Sequence, residues 1–189
     1  ASDVYKRQIL HQLRPTHGQV QYLPHTADVK IGYVPQFRNI DADYPLTIQD
    51  FVGLNLTGWK WPWLSRSERK KIERILTETG LTTLAKRPIG QASGGERQKA
   101  YLAQALVEAP NLLILDESTA SLDPVTKTEL LDLVVELNQR LKLTVLFVTH
   151  DIPMARKYSS RYLMLTPQGT EQGPIAGLTQ EKVWEGEHV

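Results

Sequence analysis

The sequence contains no cysteine, and none of its apolar runs reaches the ~18 residues that a membrane-spanning helix needs. Without cysteine there can be no disulfide bond, no thiol nucleophile and no cysteine-ligated zinc. An excess of charge of one sign is also lacking, because 22 Lys and Arg face 21 Asp and Glu, a formal net charge of +1. Such a balance provides no overall attraction to nucleic acid, and nucleic acid is not among the expected partners.

The second half of the chain alternates between strand-like and helix-like segments. Apolar strands are predicted at 111–115, 143–148 and 162–166, and helices are predicted to begin near Ser93 and Asp123. This alternation favours an α/β fold with a mainly parallel sheet. With 189 residues and 41% apolar content, the chain can form one domain with a small subdomain.

The first half contains less regular signals. A helix is expected to end near Leu13, and residues 20–23 and 30–34 are short strand candidates. Residues 47–56 are predicted to be helical. A capping-box spacing that starts at Ser65 predicts a further helix as far as Thr79. Residues 1–8 lead into no clear element.

Two adjacent carboxylates, Asp116 and Glu117, end the apolar strand that begins near Leu112. In a parallel sheet the carboxyl ends of the strands form the ligand crevice. One carboxylate there can hold Mg²⁺, and a second can orient a nucleophilic water. The alternative is an acidic loop that caps the next helix, and the two residues alone do not decide between these interpretations.

Two glycines, Gly94 and Gly95, stand between Ser93 and Glu96 at the start of a predicted helix. Exposed backbone N–H groups at such a helix start can bind an anion. A simple capping box explains Ser93 and Glu96 but not two glycines, which lower helix stability. Gln36 and His150 follow two other predicted strands, and each alone is a weak signal.

Taken in order, these segments resemble the nucleotide-binding subunit of ABC transporters across residues 9–178. The motifs that resemble that family are the Q-loop at Tyr33–Gln36, the signature motif at Ala92–Glu96, Walker B at Leu112–Glu117, the D-loop stretch at Ser118–Asp123 and the switch histidine at Thr149–Asp151. Ala92, Glu96 and Ser118 stand where that family commonly has Leu, Gln and Pro.

The resemblance implies a P-loop NTPase (RecA-like) core lobe built from residues 9–40 and 108–189. A helical subdomain that carries the signature motif is implied at residues 41–107. The implied ligands are ATP and Mg²⁺, and the implied activity is ATP hydrolysis.

The resemblance also implies residue roles. Asp116 would position Mg²⁺, Glu117 would polarise the attacking water, and His150 would contact the γ-phosphate. Gln36 would bind both the metal and the γ-phosphate of ATP, and would pass that state to the transmembrane partner. A further set would bind ATP or face it across a dimer of two copies: Ser93, Gly94, Gly95, Glu96 and Asp123.

One family motif is missing. The sequence has no glycine before Gly18 and no Gly-Lys pair, so it lacks the Gly-x-x-x-x-Gly-Lys-Ser/Thr phosphate-binding loop. We therefore expect an N-terminally truncated sequence in which residues 1–8 are an unrelated leader, rather than a degenerate natural member. As it stands, the chain is expected to be inactive.

Residues 41–50 resemble the segment that follows the Q-loop in importers of zinc, manganese or iron-chelate type. That segment often has a similar aromatic-Pro-x-Thr pattern. The implied assembly is a peripheral subunit on the cytoplasmic face of the cell membrane. Its implied partners are a second copy, a permease and, indirectly, an extracellular metal-binding protein. The five histidines have no ligand spacing, so cargo would bind elsewhere.

The segment from Trp59 to Arg74 contains three Trp, six Lys or Arg and two Glu. It is either a solvated helix with packed aromatics or a docking surface for the permease near anionic lipid. Two other functions also stay open for the chain, a non-transport ABC-type ATPase and a non-catalytic fragment. The cargo and the direction of transport are not fixed by these motifs.

Overall fold

The computed structural model describes residues 2–22, 28–36, 40–56, 64–119, 122–166 and 169–178. Trp59, Trp61 and Trp63 lie outside these ranges. In chain order the elements are α1 (Ser2–Ile9), β1 (Ile31–Val34), α2 (Ile48–Gly53), α3 (Arg66–Glu78), α4 (Gly94–Leu106), β2 (Leu112–Asp116), α5 (Pro124–Leu141), β3 (Thr144–Val148), α6 (Ile152–Tyr158), β4 (Arg161–Thr166) and β5 (Gly169–Pro174). Short 3₁₀ turns lie at Thr82–Leu84, Ile89–Gln91 and Ile175–Gly177.

The chain forms two compact units. One is Val29–Val148, and the other combines Ala1–Asp28 with Thr149–Val189. The subdomain predicted at residues 41–107 falls inside the first unit, where its described parts are helices, turns and one isolated bridge from Thr47 to Pro88. No helix in the described ranges is both long and apolar enough to cross a membrane.

The unit Val29–Val148 is built on a parallel three-stranded sheet in the order β1-β2-β3. The central strand β2 is apolar at four consecutive positions, and Leu113 and Ile114 are fully buried. A continuous apolar run suits a strand that is covered on both faces. The predicted α/β fold with a parallel sheet is confirmed for this unit.

Helix α4 packs closely on the sheet and on α2. A Cβ atom at Gly32 in β1 would lie 2.6 Å from the carbonyl oxygen of Ala105, so only glycine permits this approach. On its other side, the Tyr101 ring meets the Phe51 ring edge-on at 5.0 Å between centroids. Burial of side chains such as Leu102 contributes about 1.5–3 kcal/mol each.

The predicted helix starts are confirmed where side chains cap them. Ser65 and Ser93 each form a complete capping box, at the starts of α3 and α4. Asp123 caps α5, whose first residue is Pro124. Pro is favoured at that position because the N–H group it lacks has no partner within the helix.

The other unit differs from the predictions in three places. Residues 2–8, for which no element was expected, are part of α1, which ends at Ile9 rather than near Leu13. Described residues 20–22 form no strand. Strand β4 does not extend a parallel sheet, because it pairs antiparallel with β5 in a separate two-stranded sheet.

Within this unit, Tyr22 connects the loop after α1 to the last residue of that helix. Its hydroxyl donates a hydrogen bond to the carbonyl oxygen of Ile9, and its ring lies 5.4 Å from that of His11. Burial raises the pKa of the Tyr22 phenol, since loss of water disfavours its charged form.

Candidate functional site

The first part of the site lies at the carboxyl end of β2. Asp116 is only 6% exposed, and its Oδ2 atom accepts a hydrogen bond of 2.8 Å from the hydroxyl of Tyr33. The sheet register explains the contact, because Tyr33 lies opposite Ile114, two residues before Asp116 on the same face of β2. A tyrosine ring is long enough to reach that diagonal neighbour.

The next carboxylate is also held by a residue from the β1 side. The Nε2 atom of Gln36 donates a hydrogen bond of 3.0 Å to Oε2 of Glu117. Val34 pairs with Leu115, so the same register, continued for two residues, sets Gln36 opposite Glu117. The structure thus brings together three of the predicted site residues, Gln36, Asp116 and Glu117.

The backbone turns sharply at Glu117. Its φ angle is +45°, in the left-handed region that non-glycine residues rarely adopt. The turn is fixed by a hydrogen bond of 3.0 Å from the Glu117 amide to the carbonyl oxygen of Val148 in β3. Such strain costs on the order of 1–3 kcal/mol and is found most often at functional sites.

Beneath this turn lies a group of buried polar atoms. Ser118 is 1% exposed, Gln98 of α4 is fully buried, and both line one small cavity with Leu115 and Val34. The Ser118 hydroxyl and both polar atoms of the Gln98 side-chain amide make no hydrogen bond to any described residue. The residue after Glu117 is therefore packed against the helix that carries the signature motif.

The signature segment forms the capped start of α4. The Ser93 hydroxyl accepts a hydrogen bond of 3.2 Å from the Glu96 amide, and the Glu96 carboxylate accepts one of 2.7 Å from the Ser93 amide. Arg87 approaches both carboxylate oxygens of Glu96 at 3.2 Å. The Glu96 side chain is therefore folded back onto its own loop, and Arg87 is a neighbour that the motif alone does not indicate.

Of the two signature glycines, Gly95 faces the start of α5 and Gly94 faces Leu122, which precedes that helix. A Cβ atom at Gly95 would lie 2.5 Å from Cγ2 of Thr126, whereas one at Gly94 would lie at an ordinary 3.6 Å from Leu122. Gly95 is therefore needed for the close approach of the two helix starts, a packing role that exists beside any role in anion binding.

Asp123 is the N-cap of α5, and its Oδ1 atom accepts hydrogen bonds of 3.1 Å from the amides of Val125 and Thr126. Hydrogen bonds from the Thr126 side chain and then from the Thr126 amide lower the pKa of this carboxyl, with a smaller contribution from the Val125 amide. The exposed carboxylate is thus charged at the positive end of a helix dipole.

His150 belongs to the other unit, two residues after β3. It is exposed and directly precedes Asp151, the N-cap of α6. Asp151 accepts a hydrogen bond of 3.1 Å from the Met154 amide, and its own amide donates one of 3.0 Å to the Thr149 hydroxyl. These contacts fix the turn that carries the histidine.

The oxygen atoms at the end of β2 suit a hard cation. No group of three His, Cys, Asp or Glu side chains in the described ranges is arranged to hold a metal by itself. Mg²⁺, however, binds typically through one or two carboxylates together with substrate phosphates and waters. The Asp116 carboxylate meets the protein's part of that requirement, and the Gln36 side chain would add an amide oxygen as a further candidate ligand.

The sequence comparisons agree on one family. Residues 6–120 match the model of the ABC transporter family. The manganese transport system ATP-binding protein MntB of Halalkalibacterium halodurans is 33% identical over 150 residues, 78% of this chain and 59% of that protein. The zinc import ATP-binding protein ZnuC of Haemophilus influenzae is 33% identical over 151 residues, 80% of this chain and 52% of that protein.

Solved structures show the same fold. A metal-chelate type ABC transporter in an inward-facing conformation matches with a TM-score of 0.88 and 26% identity, covering 100% of this chain and 75% of that one. CbiO1 from Clostridium perfringens, part of the transporter complex cbiONQ, matches with a TM-score of 0.77 and 26% identity over 98% of this chain and 75% of that one.

The chain is shorter than the relatives that it matches in sequence. A probable metal transport ATP-binding protein of Chlamydia trachomatis is matched over 61% of its length. The chain therefore spans less than two thirds of each curated relative named here.

Proposed function

Because the chain belongs to the ABC transporter family, we propose that it is part of an ATP-binding and ATP-hydrolysing subunit that powers import of a metal ion of the zinc, manganese or iron type. Relatives named for manganese transport and for zinc transport have about the same sequence identity to this chain. They therefore support a metal ion as the cargo but do not distinguish manganese from zinc. The implied partners are a second copy of the subunit, a permease and an extracellular metal-binding protein. The subunit would lie on the cytoplasmic face of the membrane.

The observation that carries the proposal is the pair of neighbouring carboxylates at the end of β2, each held by a different residue from the β1 side. Two carboxylates with different environments can perform different tasks. Asp116 is nearly buried and suits a fixed ligand role, whereas Glu117 is half-buried and projects from a strained turn.

Glu117 is the proposed general base. Its carboxylate would accept a hydrogen bond from the attacking water and take up its proton. As the water oxygen bonds to the γ-phosphorus, the bond from that phosphorus to the β-γ bridging oxygen would break, and ADP would leave. The hydrogen bond from Gln36 holds Oε2, so that a change at Gln36 would reorient the base. Asp116 and Gln36 would hold Mg²⁺, which supplies charge neutralisation between the phosphates when bound.

The remaining predicted residues have supporting roles in this proposal. His150 would contact the γ-phosphate, and Ser93, Gly94 and Gly95 would contact ATP held by the second copy. Asp123 would lie at the interface between the copies. For Glu96, whose side chain is folded onto the Ser93 amide and Arg87, the proposed contribution is to shape the signature loop rather than to reach ATP with its carboxylate.

The test uses an extended chain, defined as this sequence preceded by a segment that supplies the Gly-x-x-x-x-Gly-Lys-Ser/Thr loop. Glu117→Gln should retain ATP binding but lower the hydrolysis rate by ~10²-fold or more, the scale of losing a positioned acid–base group. The matched control is Glu136→Gln, which removes the same charge from an exposed side chain paired with Arg140. Hydrolysis at the parental rate in Glu117→Gln would contradict the proposed base.

A further inference from the structure

We infer that Tyr33 is a positioning residue for Asp116: its hydroxyl fixes the orientation of the carboxylate that receives the divalent cation. This inference rests on the proposed function of Asp116 and concerns a residue outside the predicted Gln36, Asp116 and Glu117 set. The direct observation is the 2.8 Å hydrogen bond from the Tyr33 hydroxyl to Oδ2 of Asp116.

The geometry of the sheet makes this contact specific. Tyr33 and Asp116 lie on the same face of two paired strands, two register positions apart. Asp116 is 6% exposed, so water can do little to replace a lost donor. Hydrogen bonds to a charged acceptor are roughly twice as strong as neutral ones, which makes this donor an effective constraint on the carboxylate.

The contact also means that one short segment, residues 33–36, holds the carboxylates of both Asp116 and Glu117. Tyr33 holds Asp116, and Gln36, three residues later, holds Glu117. A shift of this segment along β2 would therefore change both carboxylates together. Partners that orient a metal-binding carboxylate typically change metal affinity or activity by 10–100-fold when they are removed.

The decisive variant is Tyr33→Phe in the extended chain, which removes one oxygen atom and keeps the ring. The matched control is Tyr44→Phe, because Tyr44 is 41% exposed, follows the turn at residues 42–43 and is outside the proposed machinery. Binding of Mn²⁺ in the presence of a non-hydrolysable ATP analogue is followed by the electron paramagnetic resonance signal of free Mn²⁺. Hydrolysis is then measured as a function of Mg²⁺ concentration.

Tyr33→Phe is expected to raise the Mn²⁺ dissociation constant and the half-saturating Mg²⁺ concentration by about 10-fold. The kcat at saturating Mg²⁺ should stay within about 2-fold of the parent, since occupancy then compensates for the looser carboxylate. Tyr44→Phe should change neither quantity.

Two results would overturn the inference. One is an unchanged metal affinity in Tyr33→Phe, and the other is a loss of kcat, metal affinity and melting temperature together, which indicates a purely structural role. Asp116→Asn separates this failure from failure of the proposed function. If Asp116→Asn abolishes Mn²⁺ binding in the presence of the ATP analogue while Tyr33→Phe leaves Mn²⁺ binding unchanged, only the inference about Tyr33 is wrong.

Discussion

Glu117 combines a chemical role with a backbone conformation that costs stability. A φ angle of +45° is unfavourable for a side chain with a Cβ atom, and the hydrogen bond to Val148 holds the residue there. If only a turn were required, glycine would be the less strained choice at this position. The strain is explained when the position also needs a carboxylate that projects from the end of the sheet.

Asp123 provides a pH-dependent contribution at the residue scale. Its pKa is lowered in the folded chain by hydrogen bonds from the Thr126 side chain and from the Thr126 and Val125 amides. The stabilisation is therefore fully present above the unfolded pKa of about 3.9 and is lost as the pH falls through the lower, folded pKa. We expect Asp123→Ala to lower the melting temperature at pH 7, and this difference from the parent to shrink below about pH 4.

Asp123→Asn is the control for that measurement. Asparagine keeps an oxygen that can accept the same amide hydrogen bonds but does not titrate. The melting-temperature difference between the Asn and Ala variants should therefore be the same at pH 7 and below pH 4. A parent-to-Ala difference that does not change over this range would count against the charged cap.

At the scale of elements, the starts of α4 and α5 are fitted to each other through Gly95. A Cβ atom at this position would lie 2.5 Å from Cγ2 of Thr126, on a β-branched side chain with little freedom to move. Gly95→Ala should therefore destabilise the chain by about 1–3 kcal/mol, as overpacking does, despite the better helix propensity of alanine. Chemical denaturation of the extended chain measures the effect.

Two further variants make this test specific. Thr126→Ser removes the opposing methyl group and keeps the hydroxyl near Asp123, so the Gly95→Ala/Thr126→Ser pair should recover most of the lost stability. Gly94→Ala, whose Cβ atom would meet Leu122 at 3.6 Å, should be neutral or stabilising. Equal destabilisation by both glycine replacements would show that helix packing is not the cause.

The elements that the sequence predicts well are those with local determinants. Both capping boxes and the Asp123–Pro124 start depend on side chains within four residues of each other. Strand β5 could not be predicted in this way, because residues 169–174 have no apolar alternation. Its antiparallel pairing with β4 depends on the direction in which the chain returns, and this direction is not encoded in the composition of β4 itself.

The site shows the same division between local and non-local information. The order of the motifs along the chain, through their resemblance to a known family, is enough to select Gln36, Asp116 and Glu117 at the ends of predicted strands. The bond from Tyr33 to Asp116 depends on the register between β1 and β2, which joins residues 83 positions apart. The signal that could have found it is the aromatic residue three positions before Gln36, once that register is known.

At the scale of the whole molecule, the matched family predicts ATP binding, whereas the absence of the phosphate-binding loop from the sequence predicts that this chain binds ATP weakly. The ABC transporter model matches residues 6–120, yet the sequence has no Gly-Lys pair anywhere. In proteins of this chemistry, the loop amides and lysine supply most of the contacts to the β- and γ-phosphates. The residues at the end of β2 supply carboxylates, which repel phosphate unless a cation lies between them.

We therefore expect this 189-residue chain to bind Mg-ATP weakly and the extended chain to bind it well. Calorimetric titration of Mg-ATP into both proteins measures the difference, and the expected gain in affinity is at least about 100-fold, equivalent to ~2.7 kcal/mol. An extended chain in which Ala replaces the loop lysine is the control, and it should lose most of that gain. Micromolar binding with one-to-one stoichiometry by the chain alone would contradict the expectation, because the described strand ends would then hold the nucleotide without a phosphate-binding loop.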